Sequence, residues 1–480
     1  MLPLVIFALT LFCILRRPFG FGIWVYSSIG AVATFALGLV ELRDLGFIFS
    51  LIWDSALTLI ALIVISFCLQ AFGFFEWLIF WVLKICAVKN AKSSTDSTPQ
   101  SHESALDSRL DSYLAINTRK AFILLILCCA LTSAVLANDG AILIFTPLVL
   151  GVFLRARNAT NPQIIAFLFA TAFMCDISSN ALIISNLTNI ITANFYHIGF
   201  GDFARTMLLP NAFATLGATL LFLAVFRTSL SVPLLFRTPL KPKLSNKLFA
   251  LHCACICVFV ASFFLSTHFS LPLSVNCGIY AGILLFILWR KSHSKAKSTL
   301  KNAPFGIIIF VFGLFVVVFG LTKTNIQPFF VAILHAISPD KWSAIFGASA
   351  LSAFGASVFN NLPMVLFGNL MIDELFEHLV FLRHLPQDDV FMFDFANSNF
   401  FVDKNLKRNL VYAHLLGCNI GSKLTPIGSL CTLLWLSLLA KNSLLSQKGI
   451  NFGFWRYCKY ALIFTPFVLC CACAGLLVAH

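Results

Sequence analysis

Long apolar runs separated by short polar segments fill almost the whole chain. A helix needs about 20 mainly apolar residues to cross the hydrocarbon core of a bilayer, so the runs predict an all-α polytopic membrane protein with about ten to twelve transmembrane segments. The runs cover residues 2–15, 19–40, 47–69, 121–154, 164–195, 207–226, 249–265, 271–289, 304–321, 342–371, 410–439 and 461–479.

Four of these runs are too long for one span, and polar or Gly/Pro residues interrupt each of them near its middle. Non-helical backbone at membrane depth is tolerated where it lines a cavity in the protein. Broken helices of this kind form the substrate sites of secondary transporters. The interruptions therefore predict the position of a binding site. They are ANDG at 137–140, CDISSN at 175–180, FNNLP at 359–363 and GCNIGSKLTP at 417–426.

The interruptions occur as two similar pairs. Aligning Asp176 with Asn419 brings Ser179 opposite Ser422, which indicates a weak internal repeat. We interpret the first interruption of each pair as the tip of a re-entrant hairpin and the second as a broken helix. The predicted organisation is a first half at 1–236, a linker at 237–248 and a second half at 249–480, with an acidic insertion at 373–408.

The distribution of basic residues bears on this arrangement, because Lys and Arg concentrate in cytoplasmic loops. If both hairpins return to the side from which they start, 24 of the 33 Lys and Arg residues lie on one side and 8 on the other. This bias predicts two halves that are inverted in the membrane, a cytoplasmic linker and an extracytoplasmic insertion.

Composition excludes several classes of protein. Hydrophobic residues make up 59% of the chain and charged residues 11%, against about 25% charged in soluble domains. The formal charge of +14 is spread over short loops rather than one patch, so we expect no nucleic-acid partner. The chain has no P-loop and no H-E-x-x-H segment, which disfavours an enzyme and leaves an ion gradient or a separate ATPase as the energy source.

Three ionisable residues stand inside the interrupted runs: Asp139, Asp176 and Lys423. A charge at the bilayer centre costs roughly 2.5–3.5 kcal/mol on insertion scales, so such residues are functional candidates. We expect them to couple transport to protons, with the Lys423 ammonium pairing with either acid. The alternatives are that the acids cap helix N-termini and that Lys423 is a static counter-ion.

Neutral polar side chains dominate the remaining positions at the interruptions. Their amide and hydroxyl groups suit a small, neutral or weakly charged solute that is rich in oxygen, and no ring of basic residues awaits a multivalent anion. We also expect no cofactor and no structural metal, because no Cys/His set has zinc spacing. The candidate substrate-binding residues are Asn138, Ser185, Asn186, Asn189, Asn360, Asn361, Asn419, Ser429 and Thr432.

Five segments resemble the arsenical pump membrane protein family of the ion transporter superfamily. They are QAFGFFEW at 70–77, LANDGAILIFTPLVL at 136–150, IISNLTNIITANFYHIGF at 183–200, FNNLPMVLFG at 359–368 and GCNIGSKLTPIGSLCTLLW at 417–435. The resemblance implies efflux of arsenite and antimonite across the bacterial inner membrane in exchange for protons, and hence arsenical resistance. In some bacteria it also implies docking of a soluble arsenite-stimulated ATPase.

Within that resemblance, two features of this chain stand out. Asn419 occupies a position at which the family pattern has an acid, which would leave Asp139 and Asp176 to carry the proton. Trivalent arsenic binds thiols, and Cys175 and Cys418 occupy equivalent positions in the repeat. They are candidates for transient contacts with the substrate, although small residues are also needed there for close helix packing.

Two alternative functions remain open from the sequence. A sodium/proton antiporter of the same superfamily would have similar broken helices, but sodium favours more negatively charged oxygen ligands than this site offers. The chain is alternatively the membrane anchor subunit of an ATP-driven arsenite pump, inactive without its ATPase. Transport by vesicles without added ATPase would separate these possibilities.

Overall fold

The computed structural model describes residues 2–88, 113–237, 242, 244–269, 271–323, 327–338, 340–383, 404–440 and 442–479. Within these residues, ten helices are long and apolar enough to cross a membrane, and three shorter apolar helices accompany them. The predicted class, an all-α polytopic membrane protein, is confirmed. One element was not predicted, a small antiparallel sheet of two strands.

Short turns join most of the described helices. The elements of the first half are α1 (Leu2–Arg16), α2 (Ile23–Ala36), α3 (Leu42–Phe72), α4 (Phe74–Ile85), β1 (Tyr113–Ile116), α5 (Thr118–Leu136), α6 (Asn138–Arg155), α7 (Asn161–Ile177), α8 (Leu187–Phe195), α9 (Phe200–Val225) and β2 (Leu234–Arg237). Those of the second half are α10 (Asn246–His268), α11 (Leu273–Lys291), α12 (His293–Asn302), α13 (Gly306–Thr322), α14 (Gln327–Ala336), α15 (Lys341–Phe359), α16 (Asn361–Arg383), α17 (Lys404–Leu416), α18 (Leu430–Ala440), α19 (Ser443–Gln447) and α20 (Phe454–Ala479).

Four helices form a layer that we call the wall: α13 packs along α2 and α3, and α11 packs along α3. Glycines recur every seven residues along the contact face of α13, at Gly306, Gly313 and Gly320. This spacing is about two helical turns. A Cβ atom added to Gly313 would lie 2.8 Å from the backbone of Ser27 on α2. The wall is therefore joined through small residues, as is usual for helices that associate within a membrane.

The interrupted segments lie in a second group of helices, which we call the core. In it α5, α6 and α7 pack together, as do α15, α16 and α17, and α9 packs along α20. The ring centroids of Phe222 on α9 and Phe464 on α20 are 4.5 Å apart. Each group of three consists of a pair of helices and a third helix that leads into a break.

The first helix pair, α5 and α6, is a hairpin with a one-residue turn. Ala137 joins the two helices with φ 69°, a conformation that non-glycine residues rarely adopt. β1 precedes α5 and pairs with β2, while Ala156, just after α6, forms a bridge with Phe236 of β2. Both ends of the first helix pair thus meet the same sheet, at what we call the sheet end of the molecule.

The second helix pair, α15 and α16, has the same kind of turn. Asn360 joins the helices with φ 79° and ψ 151°, close to the φ 69° and ψ 140° of Ala137. This shared backbone conformation is an independent observation in favour of an internal repeat, because both tips use a sparsely populated region. A peptide turn of this type also places the next residue, an asparagine in both pairs, at the first position of a helix.

The second helix pair opens toward the end opposite the sheet. Lys407, near the start of α17, pairs with Asp373 of α16, and Arg408 donates to Thr206 near the start of α9. α9 has 26 residues, which corresponds to about 39 Å, and its other end leads to β2. The two helix pairs therefore open toward opposite ends of α9. This geometry agrees with inverted halves, while re-entry into a membrane stays a prediction.

The first turn of α15 has a well-defined cap. The Asp340 carboxylate accepts hydrogen bonds from the backbone N–H groups of Trp342 and Ser343, at 2.8 and 3.1 Å. The Ser343 hydroxyl donates to it at 2.7 Å. The two bonds from Ser343 hold the pKa of Asp340 below its ordinary value of 3.8, and the bond from the hydroxyl has the larger effect. Aspartate at this position satisfies N–H groups that the helix itself leaves unpaired.

The predicted boundaries require several corrections. α7 continues through Asp176 to Ile177, so the first break covers 178–186 rather than 175–180. The second break covers 417–429 and begins with one π-helical turn. α16 extends to Arg383 and α17 begins at Lys404, so both ends of the predicted 373–408 insertion are helical. The acids of this segment suggested a loop, but Leu375 and Phe376 are buried and continue the helix. Residues 384–403 lie outside the described part.

Candidate functional site

Asp176 lies in the last turn of α7, next to the first break, and is buried, with 2% of its surface exposed. Its Oδ1 atom accepts a hydrogen bond of 2.7 Å from the Asn138 side chain, the first residue of α6. The Ser179 hydroxyl donates to the Asp176 carbonyl at 2.6 Å. The carboxylate therefore connects the tip of the first helix pair to the broken helix that follows it.

Lys423 lies in the second break and is buried to the same extent. Its ammonium forms an ion pair with Oδ2 of Asp176 and donates to the Thr432 hydroxyl at 2.6 Å. Of the two pairings considered from the sequence, the structure contains the one with Asp176. A buried pair of this kind connects the breaks of the two halves directly, and loss of either partner would leave an uncompensated charge.

Asp139 supplies a second buried carboxylate beside this pair. It stands in the first turn of α6, where the helix dipole favours a negative charge, so the expected capping role and a charge-carrying role are compatible. The Cys431 thiol contacts the Asp139 carboxyl group, and the Lys423 charge acts on it. Two carboxylates and one ammonium leave the site with one net negative charge when all three are ionised.

A network of amides joins the two breaks beside the ion pair. The Asn419 side chain donates to Oδ1 of Asn180 and to Oδ1 of Asn189, at 2.8 Å each. The Thr188 hydroxyl donates to Oδ1 of Asn419 at 2.5 Å. Asn189 and Asn419 were predicted, whereas Asn180 and Thr188 were not. Asn419 uses its amide nitrogen for two bonds at once, which a carboxylate at this position would not provide.

Several predicted site residues hold backbone in place. The Ser185 hydroxyl donates to the Ala134 carbonyl, and the Asn360 amide donates to the Ile427 carbonyl at 2.9 Å. Asn186 caps α8 and donates to the Ser179 hydroxyl. Ser429 is buried next to the start of α18. The hydrogen bonds of Ser185, Asn186 and Asn360 therefore shape the breaks and the helix tips.

Two amide oxygens at equivalent positions have no hydrogen-bond partner among the described residues. They are Oδ1 of Asn138 and Oδ1 of Asn361, and each belongs to the first residue after the turn of a helix pair. A buried acceptor without a partner costs free energy unless a ligand or water satisfies it. Each of these oxygens can therefore accept a hydrogen bond from water or from a small donor.

The arsenical pump membrane protein family matches residues 2–93 and 115–479. The chain belongs to this family. An arsenical pump membrane protein of Escherichia coli is 30% identical to it over 478 residues, 98% of this chain and 97% of the relative. A relative from Yersinia enterocolitica is 30% identical with the same coverage, and a putative arsenical pump membrane protein of Bacillus subtilis is 23% identical over 96% of this chain and 95% of its own length.

Membership of the arsenical pump membrane protein family, together with ten apolar helices, makes this chain a multi-pass membrane transporter of the arsenical efflux type. Such a protein is a transporter and not a classical enzyme. Three of the four interrupted segments, at 137–140, 359–363 and 417–426, lie within the stretches whose residues resemble the family.

The two candidate thiols, Cys175 and Cys418, each contact a residue of their own half. The Cys418 sulfur lies 3.7 Å from Nε2 of the buried His414, within the second half. Cys175 contacts the Cys129 thiol on α5, within the first half. Among the residues that the structure describes, no group of three His, Cys, Asp or Glu side chains has an arrangement suited to a metal ion. A third cysteine, Cys431, contacts the Asp139 carboxyl group.

Proposed function

We propose that this transporter exports arsenite and antimonite across the bacterial inner membrane in exchange for protons. The buried ion pair between Asp176 and Lys423 is the observation that carries the proposal. Asp176 stands next to the first break in the first half and Lys423 lies within the second break in the second half. The charge state of one carboxyl group therefore determines whether this pair holds the halves together electrostatically.

Proton binding would act on this pair in a defined way. A proton on Asp176 removes its negative charge and leaves Lys423 with the Thr432 hydroxyl and the neighbouring Asp139 charge. The electrostatic attraction between the two halves then falls, and the hydrogen bonds of Asn419 to Asn180 and Asn189 remain between the breaks. Release of the proton restores the pair. Alternate binding of a proton and a substrate at one site is the minimal requirement for exchange.

The polar groups of the site fit a neutral hydroxide. The unpartnered amide oxygens of Asn138 and Asn361 are hydrogen-bond acceptors, and arsenous acid carries three hydroxyl donors and no charge at neutral pH. The net negative charge of Asp139, Asp176 and Lys423 disfavours an anionic substrate. The same oxygens and charge also suit a sodium ion, which keeps sodium/proton exchange as the second candidate.

The test is arsenite uptake into everted membrane vesicles with an acidic interior, in the absence of ATP. We expect uptake by the wild type and loss of uptake in Asp176→Asn, which retains the shape of the side chain but not its charge. Asp202→Asn is the matched control, because Asp202 is exposed and its substitution should leave uptake unchanged.

Each alternative gives a different result. Sodium movement without arsenite uptake by the wild type would reject the substrate assignment. Uptake that requires a soluble arsenite-stimulated ATPase would reject proton exchange and identify a membrane anchor subunit. Full activity of Asp176→Asn would leave arsenical efflux in place and reject the role of the ion pair.

A further inference from the structure

A cavity of about 1260 Å³ opens at the sheet end, between the wall and the core. It lies among the turn from α3 to α4, the last turns of α6, the end of α11 and the segment before α10. Pockets for drug-sized ligands measure about 300–1,000 Å³. The cavity is therefore far larger than a solute of a few atoms requires, and it is distinct from the ion-pair site.

Positively charged side chains line this cavity. Arg155, Lys291 and Lys295 line it together with one carboxylate, Glu76, so the described lining carries two net positive charges. The Lys291 ammonium lies 5.8 Å from the centroid of the Phe72 ring, and the Lys295 ammonium donates to the Ala71 carbonyl at 3.3 Å. Both contacts are with the end of α3, so the two ammonium groups are directed to the same part of the cavity.

The rest of the lining is mostly apolar, and it continues onto the outer surface. Phe80, Leu83 and Leu288 lie within the cavity, while Leu154 and Leu248 line it and are also 60% and 42% exposed. In a membrane, exposed apolar side chains on these helices contact acyl chains. The cavity therefore connects a region for charged groups to the hydrocarbon region, which a site for a soluble polar ligand would not need.

Aromatic residues next to the cavity indicate its depth in the membrane. Trp77 of α4 stacks on Phe249 of α10 with ring centroids 3.5 Å apart, and the Lys84 ammonium lies 4.3 Å from the Trp81 ring. Tryptophan is enriched at the membrane–water boundary. The cavity mouth thus lies at headgroup level, at the end of the molecule that the charge bias predicts to be cytoplasmic.

We propose that this cavity binds an anionic phospholipid whose headgroup carries two phosphates, with its acyl chains along the apolar lining. The two net positive charges match the two phosphates, and basic pockets between helices on the cytoplasmic side are suited to such headgroups. This proposal depends on the cavity alone and stands whether or not the exchange of arsenite for protons is correct.

The test uses the purified full-length protein in detergent, with cardiolipin as the anionic probe and phosphatidylethanolamine as the zwitterionic one, and native mass spectrometry to count bound lipid. Each basic residue near the surface contributes about fivefold in affinity for an anionic lipid, so Lys291→Gln with Lys295→Gln should weaken cardiolipin binding about 25-fold. Arg290→Gln with Lys297→Gln is the matched control on the same helices, and neither residue lines the cavity.

Equal cardiolipin binding by the wild type and the Lys291→Gln, Lys295→Gln variant would overturn the proposal. Equal binding of phosphatidylethanolamine by the wild type would do the same. A second measurement covers the case in which the double variant folds poorly. Ser292 lines the cavity, and in Ser292→Cys we expect cardiolipin to slow labelling at this position by a charged thiol reagent. Labelling unaffected by cardiolipin would identify a water-filled vestibule instead.

Discussion

At the scale of single residues, the site consists of charged and amide side chains that are buried in the protein. Asp176 and Lys423 are both 2% exposed, and each compensates the other. Asn419 satisfies the amide oxygens of Asn180 and Asn189 with one nitrogen. An acid at position 419 would present a carboxylate to two acceptors, so an asparagine fits the surroundings of this position.

Replacing Lys423 by Met tests the energetic role of the ion pair. The substitution leaves Asp176 buried without its cation, and breaking a buried pair in this way costs about 3–5 kcal/mol. We expect the free energy of unfolding in detergent to fall by this amount, measured by denaturant titration. Lys407→Met is the control, because the pair of Lys407 with Asp373 is partly exposed and should contribute less than about 1 kcal/mol.

The double substitution of Asp176→Leu with Lys423→Met separates stability from transport. Apolar replacement of a whole buried pair is often neutral or stabilising, so the double variant should be more stable than Lys423→Met while still failing to transport. A double variant as unstable as the single one would mean that the unpaired carboxylate is not the cause of the loss.

The sequence identified the charged residues of the site better than the neutral ones. Asp139, Asp176 and Lys423 stand out because ionisable residues are costly in apolar runs. Asn180 and Thr188 do not, since several neutral polar residues lie close together at every break and nothing in their spacing tells which ones meet. Asn180 and Asn419 are 239 residues apart in the chain.

At the scale of elements, close helix contact depends on where small residues fall. Gly313 on α13 touches the backbone of Ser27 on α2, so the wall has no room for a side chain at this point. The turns of the two helix pairs depend on backbone conformation instead. Each helix pair turns on one residue with positive φ, at Ala137 and Asn360, although the sequence suggested tips of four or five residues.

We expect Gly313→Ala to destabilise the wall. The added methyl group would meet the Ser27 backbone at 2.8 Å, and overpacking of this kind costs about 1–3 kcal/mol. Thermal unfolding of the purified protein measures the effect. Gly282→Ala on α11 is the control, because a Cβ atom there meets nothing within 4 Å. Equal melting temperatures for both variants would show that α2 and α13 can move apart without cost.

At the scale of the whole molecule, the two helix pairs open toward opposite ends of α9. The distribution of Lys and Arg among the loops predicts the same arrangement, if both hairpins return to the side from which they start. The helix contacts and the distribution of Lys and Arg therefore agree on the arrangement of the two halves. On this arrangement the sheet end is the predicted cytoplasmic side. The lipid cavity and the basic residues around it then face the cytoplasm, and the external end carries Lys323, Lys341 and Lys407 with their partners Asp44, the Leu477 carbonyl and Asp373.

Alkaline phosphatase fusions test this orientation, because the enzyme is active only outside the cytoplasm. The Lys341 ammonium donates to the Leu477 carbonyl at 3.3 Å, so the end of α20 lies beside the start of α15, away from the sheet. We expect a fusion after Ala479 to be active and a fusion after Lys297, on α12, to be inactive. The reverse pattern would invert the predicted topology and move the lipid cavity to the outer leaflet.

The sequence by itself determined the membrane class, the approximate number of spans, the places where helices break and the three charged residues of the site. Each of these follows from a free-energy cost that depends on single residues, since a bilayer penalises a charge or an unpaired backbone group wherever it occurs. Only the tertiary structure decided that Lys423 pairs with Asp176, that Asn419 joins Asn180 and Asn189, and that a basic cavity lies between wall and core. These features depend on how similar apolar helices pack, and the order of residues along each helix does not reveal which neighbour it will meet.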